Sequence, residues 1–300
     1  MKIYKLIFVA CFVVATVQAQ QDPIYATYLN NPLTINPAYA GINNQFSARI
    51  VYRTQWAGLD ANPQTFSFNS NVSVMQNKVG LGLMAMQDKL GDIRNIEVAI
   101  PISYKIKLKN ETYFSFGMQA GFVNSKNDPS KLTIRDPNDP AFASFSATAF
   151  NLGAGLMLKN DKYRVGLSVP RLLPANVKTG GASIELYKQH YYLFGSYIFE
   201  MNPVWWFRPS ILLRGTKGSP LSADLNATFT YREFYSAGVF TRNLKSYGVL
   251  IQAIYKQYHL AYVFELPGSK DSSLRFTSHE ITLGLSLGLL TYHDKVAKVY

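Results

Sequence analysis

Asn95-Ile96-Glu97-Val98-Ala99-Ile100-Pro101-Ile102-Ser103-Tyr104-Lys105-Ile106 is the stretch whose reading decides the fold. Ile96, Val98, Ile100, Ile102, Tyr104 and Ile106 share one parity, and Asn95, Glu97, Ser103 and Lys105 share the other. Successive side chains of a strand point to opposite faces, so this is a strand with one apolar and one polar face. Phe46, Ala48, Ile50, Tyr52 and Trp56 repeat the pattern against Ser47, Arg49, Arg53 and Gln55. Phe66, Phe68, Val72 and Val74 do so against Thr65, Ser67, Asn69, Asn71 and Ser73. Leu221 to Tyr231 alternates with Ser222, Asp224, Asn226, Thr228 and Thr230, and Ile281 to Leu289 with Glu280, Thr282, Gly284, Ser286 and Gly288. Less regular segments lie at 78–88, 112–122, 147–158, 162–170, 189–199, 204–214, 233–242, 246–256 and 257–266. The expected total is about fourteen strands, an even number, most of them near the roughly 9–11 residues that cross a bilayer.

An apolar face of this kind can be buried in a soluble sandwich or turned to lipid by an antiparallel barrel. Three features favour the all-β transmembrane barrel. The polar parity carries Gly, Ser, Asn and both signs of charge, which suits a wet or filled interior. Aromatic residues recur near strand ends, at Tyr104, Tyr113, Tyr163, Tyr197, Phe199, Tyr231, Tyr255 and Tyr258, as an interfacial girdle requires. Strand number and export agree with it. Composition excludes other classes: 48% hydrophobic residues rule out disorder, and 16% charged residues fall below the usual quarter of a soluble domain. Lys and Arg outnumber Asp and Glu by 12 but are dispersed, so no nucleic-acid partner is expected. Weak attraction to anionic headgroups of outer-membrane lipid or polysaccharide is the more ordinary consequence of that excess.

The ends organise the chain. Met1 to Ala19 reads as a secretory signal peptide, with Lys2 and Lys5 before the apolar run Leu6 to Ala15, and small Val17 and Ala19 before the cleavage point. That run is too short to span a bilayer, which needs roughly 20 apolar residues. Cleavage before Gln20 removes the single cysteine, Cys11, and takes the balance from +12 to +10. The expected organisation is a signal peptide (1–19), an N-terminal arm (20–44), a barrel (45–290) and a C-terminal tail (291–300). The arm holds Pro23, Pro32 and Pro37 among many Asn, so it is neither strand nor helix. Its Asn31-Pro32 and Asn36-Pro37 pairs are either turn chemistry alone or part of a plug-like arm that folds into the lumen and contacts partners. Long connections at 124–146 and 171–188 belong on the outer side of a barrel.

Gln21-Asp22-Pro23-Ile24-Tyr25-Ala26-Thr27-Tyr28-Leu29-Asn30-Asn31-Pro32, followed by Ile35-Asn36-Pro37-Ala38-Tyr39-Ala40-Gly41, resembles the N-terminal signature of the PorP/SprF family of the type IX secretion system. The likeness continues through Tyr52 to Trp56, Pro63-Gln64-Thr65, Gly80-Leu81-Gly82, Asp88 to Gly91, Asn151 to Gly155, Val165 to Pro170, Arg208-Pro209-Ser210 and Ser278 to Ile281. The resemblance implies a fourteen-stranded outer-membrane barrel without catalytic activity that exports or anchors cargo, including gliding adhesins. Its partners would be other type IX components and cargo bearing a C-terminal targeting domain. Asp22, Pro23, Tyr28, Asn31, Pro32, Asn36, Pro37, Ala38, Tyr39 and Gly41 are the candidate partner-binding or plug residues.

Other chemistry is thin. His190, His259, His279 and His293 lack metal-ligand spacing, and no cofactor motif occurs. Ser278-His279-Glu280 holds triad residue types, but adjacent strand residues face opposite ways and cannot form a relay. Gly80-x-Gly82 and Gly153-x-Gly155 sit inside strands, where glycine permits bending or close packing. Arg49, Arg53, Glu97, Lys105, Arg208, Arg214 and Asp224 fall on polar faces and suit an internal ion-pair lining more than a conduction path. A porin-like channel or ligand transporter is the alternative function.

Overall fold

The computed structural model describes residues 28, 31–129, 144–179, 182–267 and 276–288. The signal peptide, Asp22, Pro23 and the tail 291–300 lie outside them. Seventeen strands occur among the described residues. They are β1 (Phe46–Ala57), β2 (Gln64–Val74), β3 (Val79–Leu90), β4 (Ile93–Lys107), β5 (Tyr113–Asn127), β6 (Phe145–Lys159), β7 (Tyr163–Val169), β8 (Ala175–Thr179) and β9 (Ala182–Tyr187). They continue as β10 (His190–Tyr197), β11 (Phe199–Asn202), β12 (Trp205–Thr216), β13 (Ser222–Tyr231), β14 (Tyr235–Arg242), β15 (Ser246–Tyr255), β16 (Tyr258–Pro267) and β17 (Thr277–Leu287). Fourteen of these, all but β8, β9 and β11, form one antiparallel ring closed by the β1–β17 and β10–β12 pairings. β11 resumes the line of β10 after Ile198 and pairs with the other end of β12. The connection read as a loop at 171–188 carries the separate hairpin β8–β9.

Burial runs opposite to that of a soluble protein. Ile100, Phe122 and Leu283 are more than half exposed, whereas Arg53 is 1% and Glu280 0% exposed. Apolar patches larger than a few hundred Å² are rare on water-facing surfaces, so the outward face of this ring is a lipid face. In β4, Val98, Ile100, Ile102, Tyr104 and Ile106 point out while Glu97, Ala99, Ser103 and Lys105 are buried inside. Tyr104, Tyr197, Phe199, Tyr255 and Tyr258 lie exposed at one end of the ring as an aromatic belt. Tyr113 departs from that belt: it sits on the inward parity of β5, with Lys105 Nζ 5.4 Å from its ring centre.

The two ends differ. At one, the short connections 75–78, 108–112, 160–162, 203–204, 232–234 and 256–257 join the strands, and β1 starts there. Three of these turns, Gln76-Asn77, Asn110-Glu111 and Arg232-Glu233, hold both central residues at positive φ, the hand that follows the right-handed twist of paired strands. The opposite end bears the longer connections, including 128–144 and 170–189.

Candidate functional site

β1 begins at the short-turn end, and residues 31–45 run along the inner wall of the ring toward that end. Proline shapes this segment: Pro32–Thr34 and Pro37–Tyr39 are single 3-10 turns with Pro in the first turn, where its missing N–H costs no hydrogen bond. Asn31 O accepts from Thr34 N (3.3 Å) and Thr34 Oγ1 (2.9 Å). The Asn36 side chain caps the second turn, its Oδ1 accepting from Ala38 N at 2.9 Å. Its Nδ2 donates to Leu156 O of β6 at 3.0 Å, so one side chain both ends the turn and fixes it to the wall. Tyr39 OH accepts from Asn43 Nδ2 at 2.9 Å.

Three serines from three strands donate to the arm's carbonyls. Ser103 Oγ (β4) reaches Ala40 O at 2.7 Å, Ser115 Oγ (β5) reaches Ala38 O at 2.8 Å, and Ser168 Oγ (β7) reaches Ile35 O at 2.6 Å. Gly41, with φ of 60°, donates its N–H to Asn71 Oδ1 of β2 at 3.1 Å. Each such neutral bond contributes about 1 kcal/mol. Lys105 Nζ donates to Gly41 O at 3.1 Å and to Asn44 Oδ1, and Lys159 Nζ donates to Asn43 Oδ1.

Packing is equally close. Leu33, Ala38, Tyr39, Ala40 and Ile42 form a buried cluster with Met157 of β6. Tyr28 and Ile35 cover Tyr192, Phe194 and Leu212, the rings of Tyr28 and Phe194 meeting edge to face at 6.1 Å. Burial, reinforced by the Asp224 carboxylate, holds the Tyr28 hydroxyl protonated well above the ordinary phenol range. A side chain at Gly80 would put its Cβ 2.0 Å from Ala40 O, and one at Gly117 would put it 2.3 Å from Ala38 N. Only glycine allows the two backbones this approach.

Further round the wall the inner face is ionic. Arg53 Nη2 meets Glu265 Oε2 at 2.8 Å and its Nη1 meets Glu280 Oε2 at 3.3 Å. Arg242 bridges Asp224 (3.0 Å) and Glu265 (3.5 Å), so the network links β13, β14, β16, β17 and β1 across the closure. Arg171, from the long connection after β7, pairs with Glu97 of β4. Ser278 and Glu280 face this network, while His279 faces out and bonds Tyr262 OH at 2.7 Å and Thr277 Oγ1 at 2.9 Å. The three residues form no relay. Among the described residues, no group of three His, Cys, Asp or Glu side chains converges to hold a metal.

Tyr28, Asn31, Pro32, Asn36, Pro37, Ala38, Tyr39 and Gly41 thus gather on one wall. Their wall partners Ser103, Ser115, Ser168, Lys159 and Phe194 were not singled out by the sequence as arm-binding residues. Polar parity was the available signal, and it does not say what a lumenal serine bonds.

A closed ring with a lipid-facing exterior and a polar interior defines a transmembrane β-barrel of the outer-membrane type. The description of type IX secretion system membrane protein PorP/SprF matches residues 17–285, and the chain belongs to that family. It is therefore an outer-membrane barrel component of type IX secretion, and membership implies association with other components of that system. No curated protein matches the chain. Among solved structures it is similar to the TodX deltaS2S3 mutant monoaromatic hydrocarbon channel, with 11% identity, coverage of 85% of this chain and 92% of that one, and a TM-score of 0.50. A FadL homologue from Pseudomonas aeruginosa gives 11% identity, 85% and 93% coverage, and a TM-score of 0.50. At such identity the likeness is one of fold.

Proposed function

We infer that this barrel is a non-enzymatic scaffold whose lumen is shut by its own N-terminal arm, and that it helps export or anchor cargo such as adhesins at the cell surface. The observation that carries this reading is the serine ladder, Ser103, Ser115 and Ser168, bonded to successive arm carbonyls. A wall that spends its inward donors on a chain segment is built to hold that segment, and a barrel so filled works through protein contacts. The signal peptide 1–19 is cleaved on export. Short turns face the periplasm and the long connections, including β8–β9, face outward. Cargo with a C-terminal targeting domain and other type IX components are the partners, and lipid surrounds the ring.

Deleting residues 20–44 is expected to leave a folded barrel and to abolish cargo display, measured by surface labelling of the adhesin. Normal display by the deletion would overturn the reading. The channel alternative draws on the charged inner face, and would show as stepwise conductance of the full chain in planar bilayers, altered when Arg53 or Arg208 is neutralised.

A further inference from the structure

The outer wall carries a groove of about 510 Å³ across β13 to β16, on the half of the ring that bears the long connections. Its shape follows from the register. Leu225, Thr241, Tyr247 and Leu266 stand side by side in one row across the four strands, and Ala227, Val239, Val249 and Phe264 form the next row on the same face. Small Ala227 and Thr241 make the floor, and the larger Leu225, Tyr247, Phe264 and Leu266 rise around it. The Thr241 hydroxyl donates to Ser246 O at 2.9 Å, so the floor presents no free donor. Clefts of this volume with mostly apolar linings are the usual size of ligand sites.

Toward the strand ends the groove runs on, through the shared Leu225 and Thr241, into a second hollow of about 430 Å³ lined by Pro220, Leu221, Asn243 and Lys245. Tyr247 marks the change of medium between the two. Its ring is exposed on the lipid face, and its hydroxyl donates to Leu244 O at 3.1 Å in the turn between β14 and β15. A tyrosine with its ring in an apolar trough and its hydroxyl at a turn sits at headgroup level. Lys245, exposed in that same turn, therefore stands among headgroups at the mouth of the trough. Among the described residues, no carboxylate lines either part.

Lipid tails are as apolar as this wall, so packing and not hydrophobicity distinguishes a seated chain from its neighbours. A flat wall touches a chain on one side and a groove on three, and every added contact is a dispersion gain. A lysine near the membrane surface adds attraction for an anionic headgroup. We propose that the groove is a lipid site, in which one acyl chain of an anionic phospholipid lies over Ala227 and Thr241 and its phosphate meets Lys245. The site belongs to the outer wall and is independent of the arm and of the state of the lumen.

Native mass spectrometry of the folded full chain in detergent tests this, with equal amounts of dimyristoyl phosphatidylglycerol and dimyristoyl phosphatidylcholine added. The two lipids share their chains and differ in headgroup charge. One lipid should stay bound after the others are stripped, phosphatidylglycerol over phosphatidylcholine by about fivefold, the effect of one lysine near the surface. Lys245→Gln should bring that ratio close to one while a lipid is still retained. Thr241→Trp, which fills the floor from the outward face, should lose both lipids, and Ala227→Phe serves if that variant does not fold. Retention of neither lipid or of both equally by the full chain, an undiminished preference in Lys245→Gln, or undiminished binding with the floor filled would overturn the site. So would a dimer that Thr241→Trp abolishes, because the groove would then be an interface between two copies.

Discussion

Arg53 shows how much one residue can hold in this interior. It stands on β1 opposite Glu280 in the ladder and also reaches Glu265 on β16, so a single guanidinium ties the first strand to the last two. Taking away one partner of a buried ion pair costs more than the pair itself contributes, because the remaining charges are left in a poor solvent. Arg53→Met should lower the unfolding free energy in lipid vesicles by about 3–5 kcal/mol. Adding Glu280→Gln should recover part of that loss, as read from urea titrations of the single and double variants. Additive losses would mean that the contact is solvated and weak. The polar-parity position of Arg53 was legible in the sequence, whereas its two carboxylate partners, more than 200 positions downstream, were not. The same holds for Gly80, legible as a site of bending or close packing. That the arm is what packs there needed the three-dimensional placement of Ala40.

Elements were the most legible scale. Period-two alternation marked five strands of the ring clearly and the less regular segments fell on the other nine, because a lipid-facing and a lumen-facing side impose opposite chemistry on neighbouring residues. Where that constraint lapses, so does the signal. β8 and β9 stand outside the ring and pair only with each other among the described strands, so nothing forces Ala175–Thr179 to alternate against lipid. The turns at Asn110-Glu111 and Arg232-Glu233 lack glycine, so their positive φ values were not announced by composition. The arm has no periodicity at all: its prolines and asparagines left turn chemistry and docking equally open, and Asn36, which caps its own turn and also bonds Leu156 O 120 positions downstream, takes part in a contact that no local pattern announces. Replacing residues 175–187 by a short flexible linker should leave the ring folded, since no ring strand uses β8 or β9 as a ladder partner. Unchanged heat-modifiable migration in gels is the expected result, and loss of the compact form would show that the hairpin supports the barrel.

At the scale of the whole molecule, an outward apolar ring and a polar lumen belong together. Closing a fourteen-stranded ring leaves an interior that must be filled by water, side chains or a separate segment. Here the described arm residues line one wall of it, from the aromatic patch under Tyr28 to the buried lysines near the start of β1. The central claim is that this arm sits inside the barrel against the inward face of β5, and residues 20–300 contain no cysteine, which permits a direct test. Ala38→Cys paired with Ser115→Cys, treated in native outer membranes with a short bifunctional thiol reagent, should crosslink in high yield, because Ser115 Oγ lies 2.8 Å from Ala38 O. Ala38→Cys paired with Phe116→Cys, one residue on and facing lipid, should not. Equal crosslinking of both pairs, or of neither, would contradict the account.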